Sequence, residues 1–449
     1  MSNKHLRSKD LRNINYSHDA WISLALGLSG RYMKHASKEE KIKYLEQIRK
    51  TPQNYLEVEH WNKLAEKIME EFYAEPEIKV NTLRHEPQHF NVMGQNLVDE
   101  QTIIQMQQVM TLPLEMRGAL LPDAHVGYGF PIGSVVAAKN KVIPYGVGVD
   151  IGCSMSLSVF DAGPEFLEKH DFSLKQSLID HTHFGQGGWK TQKYEHAILD
   201  DSRFEESPLL KKRKGKAALQ LGTSGSGNHF VEWGLIEFPE DYRGIPPGKY
   251  LALLSHSGSR GLGADIANHY LELAMQECRL PNKLERLAWL DTSGDEGMEY
   301  WTAMELAIDF AKACHESLHL KLKNLFGFNT LLHFTEAHNQ AQKENLEGGE
   351  WVVHRKGANQ VRRASPLIIP GSMKDRAYLV EGIPEDVFLN SLAHGSGRKL
   401  SRQKASLSTT RSEMLKQLNQ LIKKTAIEFL LERLTSIKRA VLRKLKHLN

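Results

Sequence analysis

The chain has 449 residues, 41% of them hydrophobic and 25% charged, with a formal net charge of +4: the balance of a globular protein large enough for one oversized α/β domain or several smaller ones. No run of eighteen apolar residues occurs and the first residues, MSNKHLRSKDLRN, are polar, so neither a transmembrane helix nor a secretory leader is expected and no membrane partner is implied. Three scattered cysteines, Cys153, Cys278 and Cys314, exclude a disulfide framework and point to a reducing, cytoplasmic setting.

Residues 1–75 read as a helical N-terminal extension. Ser37-Lys-Glu-Glu40 is a capping box that opens a helix striped by Ile42, Leu45 and Ile48, and Thr51-Pro52 ends it. Trp61, Leu64, Ile68 and Phe72 stripe the next helix. The polar, proline-containing stretch Glu75–Gln88 marks a boundary, after which residues 80–410 read as a second domain.

From Leu120 the pattern changes to short apolar runs punctuated by glycine: LLPDAHVGYGFPIGSVVAA, VIPYGVGVDIGCSMSLSVF, LQLGTSGSGNHFVEWGLI and YLALLSHSGSRGLG. Each predicts a buried strand leading into a glycine-rich turn that carries polar residues. Helices are predicted near 263–280 and 296–325, with further strands at WVVHRK and PLIIPGSM. Residues 411–449 form a basic amphipathic helical segment. Its neighbourhood, 401–449, holds an excess of nine positive charges, which leaves the first 400 residues at −5. That tail fits a nucleic-acid or membrane contact, or simply a solvated helix face. The fold class is therefore α/β, a sheet-rich body with helical segments at both ends.

Asp150 and Cys153 in GVDIGCSM can point a carboxylate and a thiol at one cation, or serve as a turn acid and a buried thiol. His229 in GTSGSGNH, His256 in LSHSGSRG and His338 in FTEAHNQA add imidazoles in similar settings, with amides Asn228 and Asn339 beside two of them. Asp123 and His125 in LPDAHVG are a further polar pair, either outer-sphere groups or a plain turn. The GTSGSGN and HSGSRGLG loops carry the glycine and hydroxyl density that lets backbone N–H groups approach phosphate oxygens, yet match no Walker or dinucleotide fingerprint. Arg260, between glycines, suits a bidentate phosphate contact or an exposed turn. His394, in AHGSGRKLSRQKA, sits among backbone donors next to Arg398; it suits nucleophilic attack at phosphorus, or a bystander role in an anion-binding loop.

Taken in order, LPDAHVGYGFPIGS, GVDIGCSM, GTSGSGNHF, HSGSRG, AHN, HRKGA, IPGSM and HGSGR resemble the RtcB family of RNA-splicing ligases across roughly residues 80–405. The resemblance implies the family's α/β fold and an enzyme that uses Mn²⁺, two ions during catalysis, together with GTP. It implies a substrate of RNA with a 3′-phosphate or 2′,3′-cyclic phosphate end and a partner end bearing a 5′-hydroxyl, joined in RNA repair or tRNA splicing. An archease-like activator is implied as a partner. By motif match Asp150, Cys153, His229, His256 and His338 resemble the metal ligands, with Cys153 bridging, and His394 resembles the histidine that takes GMP from GTP. Asn228, Phe230, Glu232, Asn339, Pro370 and Gly371 match nucleotide-contacting stretches. So do Ser372, Met373, Gly395, Ser396 and Gly397, while Arg260 matches an RNA-holding residue. Asp123, His125, Lys356 and Arg398 are supporting candidates. Two departures stand out: Ala377 occupies a position where many members have serine, and the C-terminus lacks the usual YKDI-like segment with its lysine. A phosphatase or phosphodiesterase on RNA ends, and a non-catalytic RNA-end-binding homologue, are the alternative readings.

Overall fold

In the computed structural model, which describes residues 6–16, 19–73, 80–281, 283–371, 376–395 and 397, the capping box closes as the sequence predicts. The Glu40 N–H donates to Ser37 Oγ at 3.2 Å and the Ser37 N–H to Glu40 Oε2 at 2.7 Å, starting the helix Lys38–Lys50. Helices Ser8–Arg12, Asp19–Tyr32, Lys38–Lys50 and Asn62–Tyr73 gather Leu11, Trp21, Leu45, Ile48, Trp61, Leu64 and Ile68 into one apolar cluster. Ile42 stands at its half-buried margin. The chain divides into two compact units, Met1–Lys79 and Val80–Asn449, and every member of that cluster belongs to the first.

The second unit holds two principal sheets. One runs Phe90–Val92, Met116–His125, Ile132–Ala138, Gly349–Lys356 and Asn339–Leu346, antiparallel except for its first pair. The other runs Phe230–Phe238, Gly248–Ser257, Ser154–Phe160 and Thr330–Ala337, antiparallel throughout. The strands Thr330–Ala337 and Asn339–Leu346 are separated by His338 alone, so the chain passes from one sheet to the other at that histidine.

The 32-residue helix Asp295–Phe326 buries Tyr300, Phe310, Leu318 and Leu322. Leu318 and Leu322 pack with Phe160, Trp233 and Leu251 on one face of the four-stranded sheet. Side chains of this size contribute roughly 1.5–3 kcal/mol each on full burial. The helix predicted at 263–280 is found as Arg260–Glu277. Two strand expectations are corrected. Leu219-Gln220-Leu221 ends a helix, Pro208–Gln220, because Ser207 caps it (Leu210 N–H to Ser207 Oγ, 3.3 Å) and Pro208 occupies its first turn. Pro144–Val147 is likewise a short helical turn opened by its proline. The tail 411–449 lies outside the described residues.

Candidate metal centre

In an antiparallel sheet the start of one strand lies beside the end of its neighbours, which brings distant turns together. Ser154 pairs with Ser257 and with Ala337, and Phe230 pairs with His256. Cys153, His229, His256 and His338 therefore meet at one end of the four-stranded sheet. Cys153 Sγ lies 3.1 Å from His256 Nε2 and 3.4 Å from His229 Nε2. His256 Nε2 and His338 Nε2 are 3.2 Å apart, and His229 Nε2 is 3.0 Å from Asp150 Oδ2. Two groups of ligand atoms result, Cys153–His256–His338 and Asp150–Cys153–His229, each within 4.8 Å, and Cys153 belongs to both.

Burial sets the charge states. It drives the pKa of His256 and His338 well below the ordinary imidazole value, so both rings are neutral and have lone pairs to offer. Burial likewise holds the Cys153 thiol well above its ordinary value, with the nearby Asp150 charge adding to the effect. Burial works against the Asp150 carboxylate too, but the hydrogen bond and charge of His229 outweigh it and its pKa falls. A thiol, three imidazoles and a carboxylate crowded together form a donor set with no apolar explanation. It fits a divalent transition metal.

Two glycines make the approach feasible. A Cβ at Gly225 would lie 1.9 Å from His229 Nδ1, and one at Gly258 would lie 2.1 Å from Asp150 Oδ1. Asn339 ties the shell to the backbone: its Nδ2 donates to Asp150 O at 3.1 Å and its Oδ1 accepts from Gly357 N–H at 2.7 Å.

His394 joins the same cluster from the other side, its ring 5.0 Å from that of His338. Asp123, buried at the end of its strand, accepts the backbone N–H groups of His394 and Gly395 at 3.1 Å each. His394 Nδ1 is 2.8 Å from Asp123 Oδ2, though not aligned for a hydrogen bond. Gly395 faces Pro370, whose carbonyl lies 3.9 Å from where a Gly395 Cβ would be, so Pro370 and Gly395 approach one another; a Gly397 Cβ would fall 3.2 Å from Asp123 Cα. Phe230 sets its ring edge to face with His256 at 5.8 Å. Glu232, two residues on, is buried on the same strand face, whereas Asn228 is exposed on the turn before it.

Arg260, at a left-handed φ of 61°, donates Nε to Thr223 Oγ1 at 3.0 Å and Nη2 to Gly185 O. Burial lowers its pKa. Lys356 is buried and donates to the Tyr128 and Tyr145 carbonyls, and burial brings its pKa down to about 7. His125, two residues beyond Asp123 on the same strand, is half-buried with Nδ1 3.0 Å from Val126 O. Ser372, Met373, Ser396 and Arg398 lie outside the described residues.

Sequence reasoning missed a buried polar layer behind the centre. Ser255 Oγ lies 2.6 Å from His315 Nδ1 and 2.7 Å from His319 Nε2; Ser158 Oγ lies 2.8 Å from His319 Nδ1 and 2.9 Å from His333 Nδ1. The signal was the period-two serine pattern of Ser154, Ser156 and Ser158, together with histidines four apart on a helix.

Converging donor atoms at the end of an antiparallel sheet, with a carboxylate-supported histidine alongside, define a candidate metal centre on an α/β scaffold. A family model described as "tRNA-splicing ligase RtcB" matches residues 105–432, and the chain belongs to the RtcB family. It is 31% identical over 323 residues to the RNA-splicing ligase RtcB of Escherichia coli, covering 64% of this chain and 75% of that protein. It is 30% identical over 394 residues to the tRNA-splicing ligase RtcB of Thermococcus kodakarensis, covering 70% and 81%. With the enzyme of the same name from Nanoarchaeum equitans the identity is 28% over 395 residues, covering 73% and 82%.

Proposed function

We propose that this protein is a GTP- and Mn²⁺-dependent RNA ligase that joins a 3′-phosphate or 2′,3′-cyclic phosphate end to a 5′-hydroxyl end. One observation carries the reading: an imidazole, His394, stands 5.0 Å from His338 with its Nδ1 beside the Asp123 carboxylate. That carboxylate favours a proton on Nδ1 and leaves Nε2 as the nucleophile.

Nε2 attacks the α-phosphorus of GTP, the bond to pyrophosphate breaks, and pyrophosphate departs with its electron pair. A 2′,3′-cyclic end is first opened by water, which adds to phosphorus as the P–O2′ bond breaks and leaves a 2′-hydroxyl and a 3′-phosphate; the GMP held on His394 then passes to an oxygen of the RNA 3′-phosphate and the imidazole is regenerated. The 5′-hydroxyl attacks the activated phosphorus, GMP leaves, and the hydroxyl proton is released. Asp123 holds the His394 turn in place through the backbone N–H groups of His394 and Gly395, Arg260 presents a fixed cation to the RNA phosphate, and Phe230 and Glu232 line the side where the nucleotide would lie. Asp150, Cys153, His229, His256 and His338 would hold the ions, Cys153 being shared by both sets; bound there, divalent ions would neutralise charge on the phosphoryl groups. Thiolate and imidazole softness alone ranks zinc first, and manganese rests on the family.

Wild-type protein and His394→Ala, incubated with labelled GTP and either Mn²⁺ or Zn²⁺, provide the test. The expected result is an acid-labile GMP adduct on the wild type, mapped to residue 394, with more label in Mn²⁺. No adduct, or an adduct on a lysine, overturns the mechanism.

A further inference from the structure

The helix Pro208–Gln220 contains five cations in six positions, Lys211, Lys212, Arg213, Lys214 and Lys216, a cluster the chemistry at His394 does not use. Carboxylates meet only part of it. Glu205 pairs with Lys211 at 2.9 Å and lies 3.8 Å from Lys214; Asp265 pairs with Arg213 at 3.0 Å and lies 3.5 Å from Lys216. Lys212 is exposed and has no ion pair among the described residues.

The cluster has a direction. Lys212, Lys216 and Gln220 are spaced i, i+4, i+8 and share one face of the helix, about 6 Å apart from one to the next. Gln220 Oε1 accepts the Gly261 N–H at 3.0 Å, and a Cβ on Gly261 would fall 2.8 Å from Lys216 Nζ. The row of charge therefore ends at the Arg260 turn. Trp189 flanks that end: its backbone N–H donates to Leu219 O at 2.8 Å, and Lys193 lies over its ring at 3.9 Å.

Within the protein alone this arrangement is costly. Like charges at i, i+4 destabilise a helix, and Gly215 in the helix interior costs about 1 kcal/mol relative to alanine. Nothing lies within 4 Å of where a Gly215 Cβ would be, so no neighbour requires the glycine. Bare backbone among five cations that two carboxylates neutralise only in part suits close approach by a polyanion.

We propose that the Lys212–Lys216 face is a docking strip for the sugar-phosphate backbone of the RNA strand whose end reaches Arg260. The inference rests on the ligase reading for the identity of the polyanion. Charge complementarity selects RNA backbone, and the row's end at Arg260 fixes the direction of the strand.

Binding of a fluorescent 12-nucleotide single-stranded RNA with a 3′-phosphate, measured from 50 to 250 mM KCl on the full chain, tests the strip. For Lys212→Gln/Lys216→Gln the slope of log affinity against log salt should flatten by roughly 1.4, and affinity at low salt should fall about tenfold. Lys212→Arg/Lys216→Arg should keep the wild-type slope, and so should Lys63→Gln/Lys67→Gln, which removes the same charge from the N-terminal unit. A wild-type slope in the 212/216 glutamine variant, or no RNA binding by the wild type, overturns the strip. An equal flattening by the 63/67 pair does so too. A flattened slope in a protein that forms no ligated product leaves the strip standing and removes the ligase reading; ligation with an unchanged slope does the reverse.

Discussion

A single methyl group at Gly258 would place a Cβ 2.1 Å from Asp150 Oδ1 and 2.9 Å from its Cγ, inside any real contact distance. The φ of Gly258 is not left-handed, so alanine is conformationally acceptable there and the collision alone decides the outcome. Gly258→Ala should push the carboxylate away from His229 and lower the metal content of the purified protein, with little change in helical signal. Gly215→Ala, where the added carbon meets nothing, should leave metal content unchanged. Elemental analysis of both variants decides; a wild-type metal content in Gly258→Ala removes Asp150 from the ligand set. At this scale the sequence is informative: Asp150, Cys153, His229 and His256 stand out as ligand-type side chains beside glycine-rich turns, His338 as an imidazole next to an amide, and all five converge.

Strands and helices explain why turns so distant in sequence share one site. Four antiparallel strands present their starts and ends alternately, so residues just outside Ser154, Ser257, Phe230 and Ala337 face one another. The same alternation puts serines on the opposite face from Met155 and Leu157, against the helix Asp295–Phe326. SMSLSVF reads in sequence as a plain buried strand, because small hydroxyls inside an apolar run do not interrupt a hydrophobic pattern. KKRKGK gives no sign of being the middle of a helix, since glycine within a charged run reads as loop. Ser255 serves two buried rings at once, His315 and His319. Ser255→Ala should therefore strand two imidazole nitrogens and cost about 1–3 kcal/mol for each group left unsatisfied. Urea denaturation gives the measurement. A midpoint within error of the wild type would show that the serine layer carries no structural role.

Across the whole molecule, histidine burial divides the two units. In the second, burial lowers His354 to about 4 and His315 to about 3, and places His319 well below its ordinary value. His354 shows the structural cause: Nε2 takes the Ile143 N–H at 2.9 Å while Nδ1 faces Val136 O at 3.0 Å, so the ring must be neutral with its proton on Nδ1. In the first unit the described histidines, His35 and His60, are exposed. Between the depressed folded values and about 6.5, the unfolded chain binds more protons than the folded one, so stability falls as pH falls through that window. A histidine whose pKa drops by one pH unit on folding forfeits about 1.4 kcal/mol once the pH is below both values. Heating the full chain at pH 7.5 and at pH 5 should accordingly show one unfolding transition that moves down strongly with acid and one that moves little. Hydrogen exchange assigns the acid-sensitive transition to residues 80 onward and the insensitive one to residues 6–73. If both shift together, the N-terminal helices do not unfold as a separate unit, and their closed apolar cluster is not sufficient to hold them.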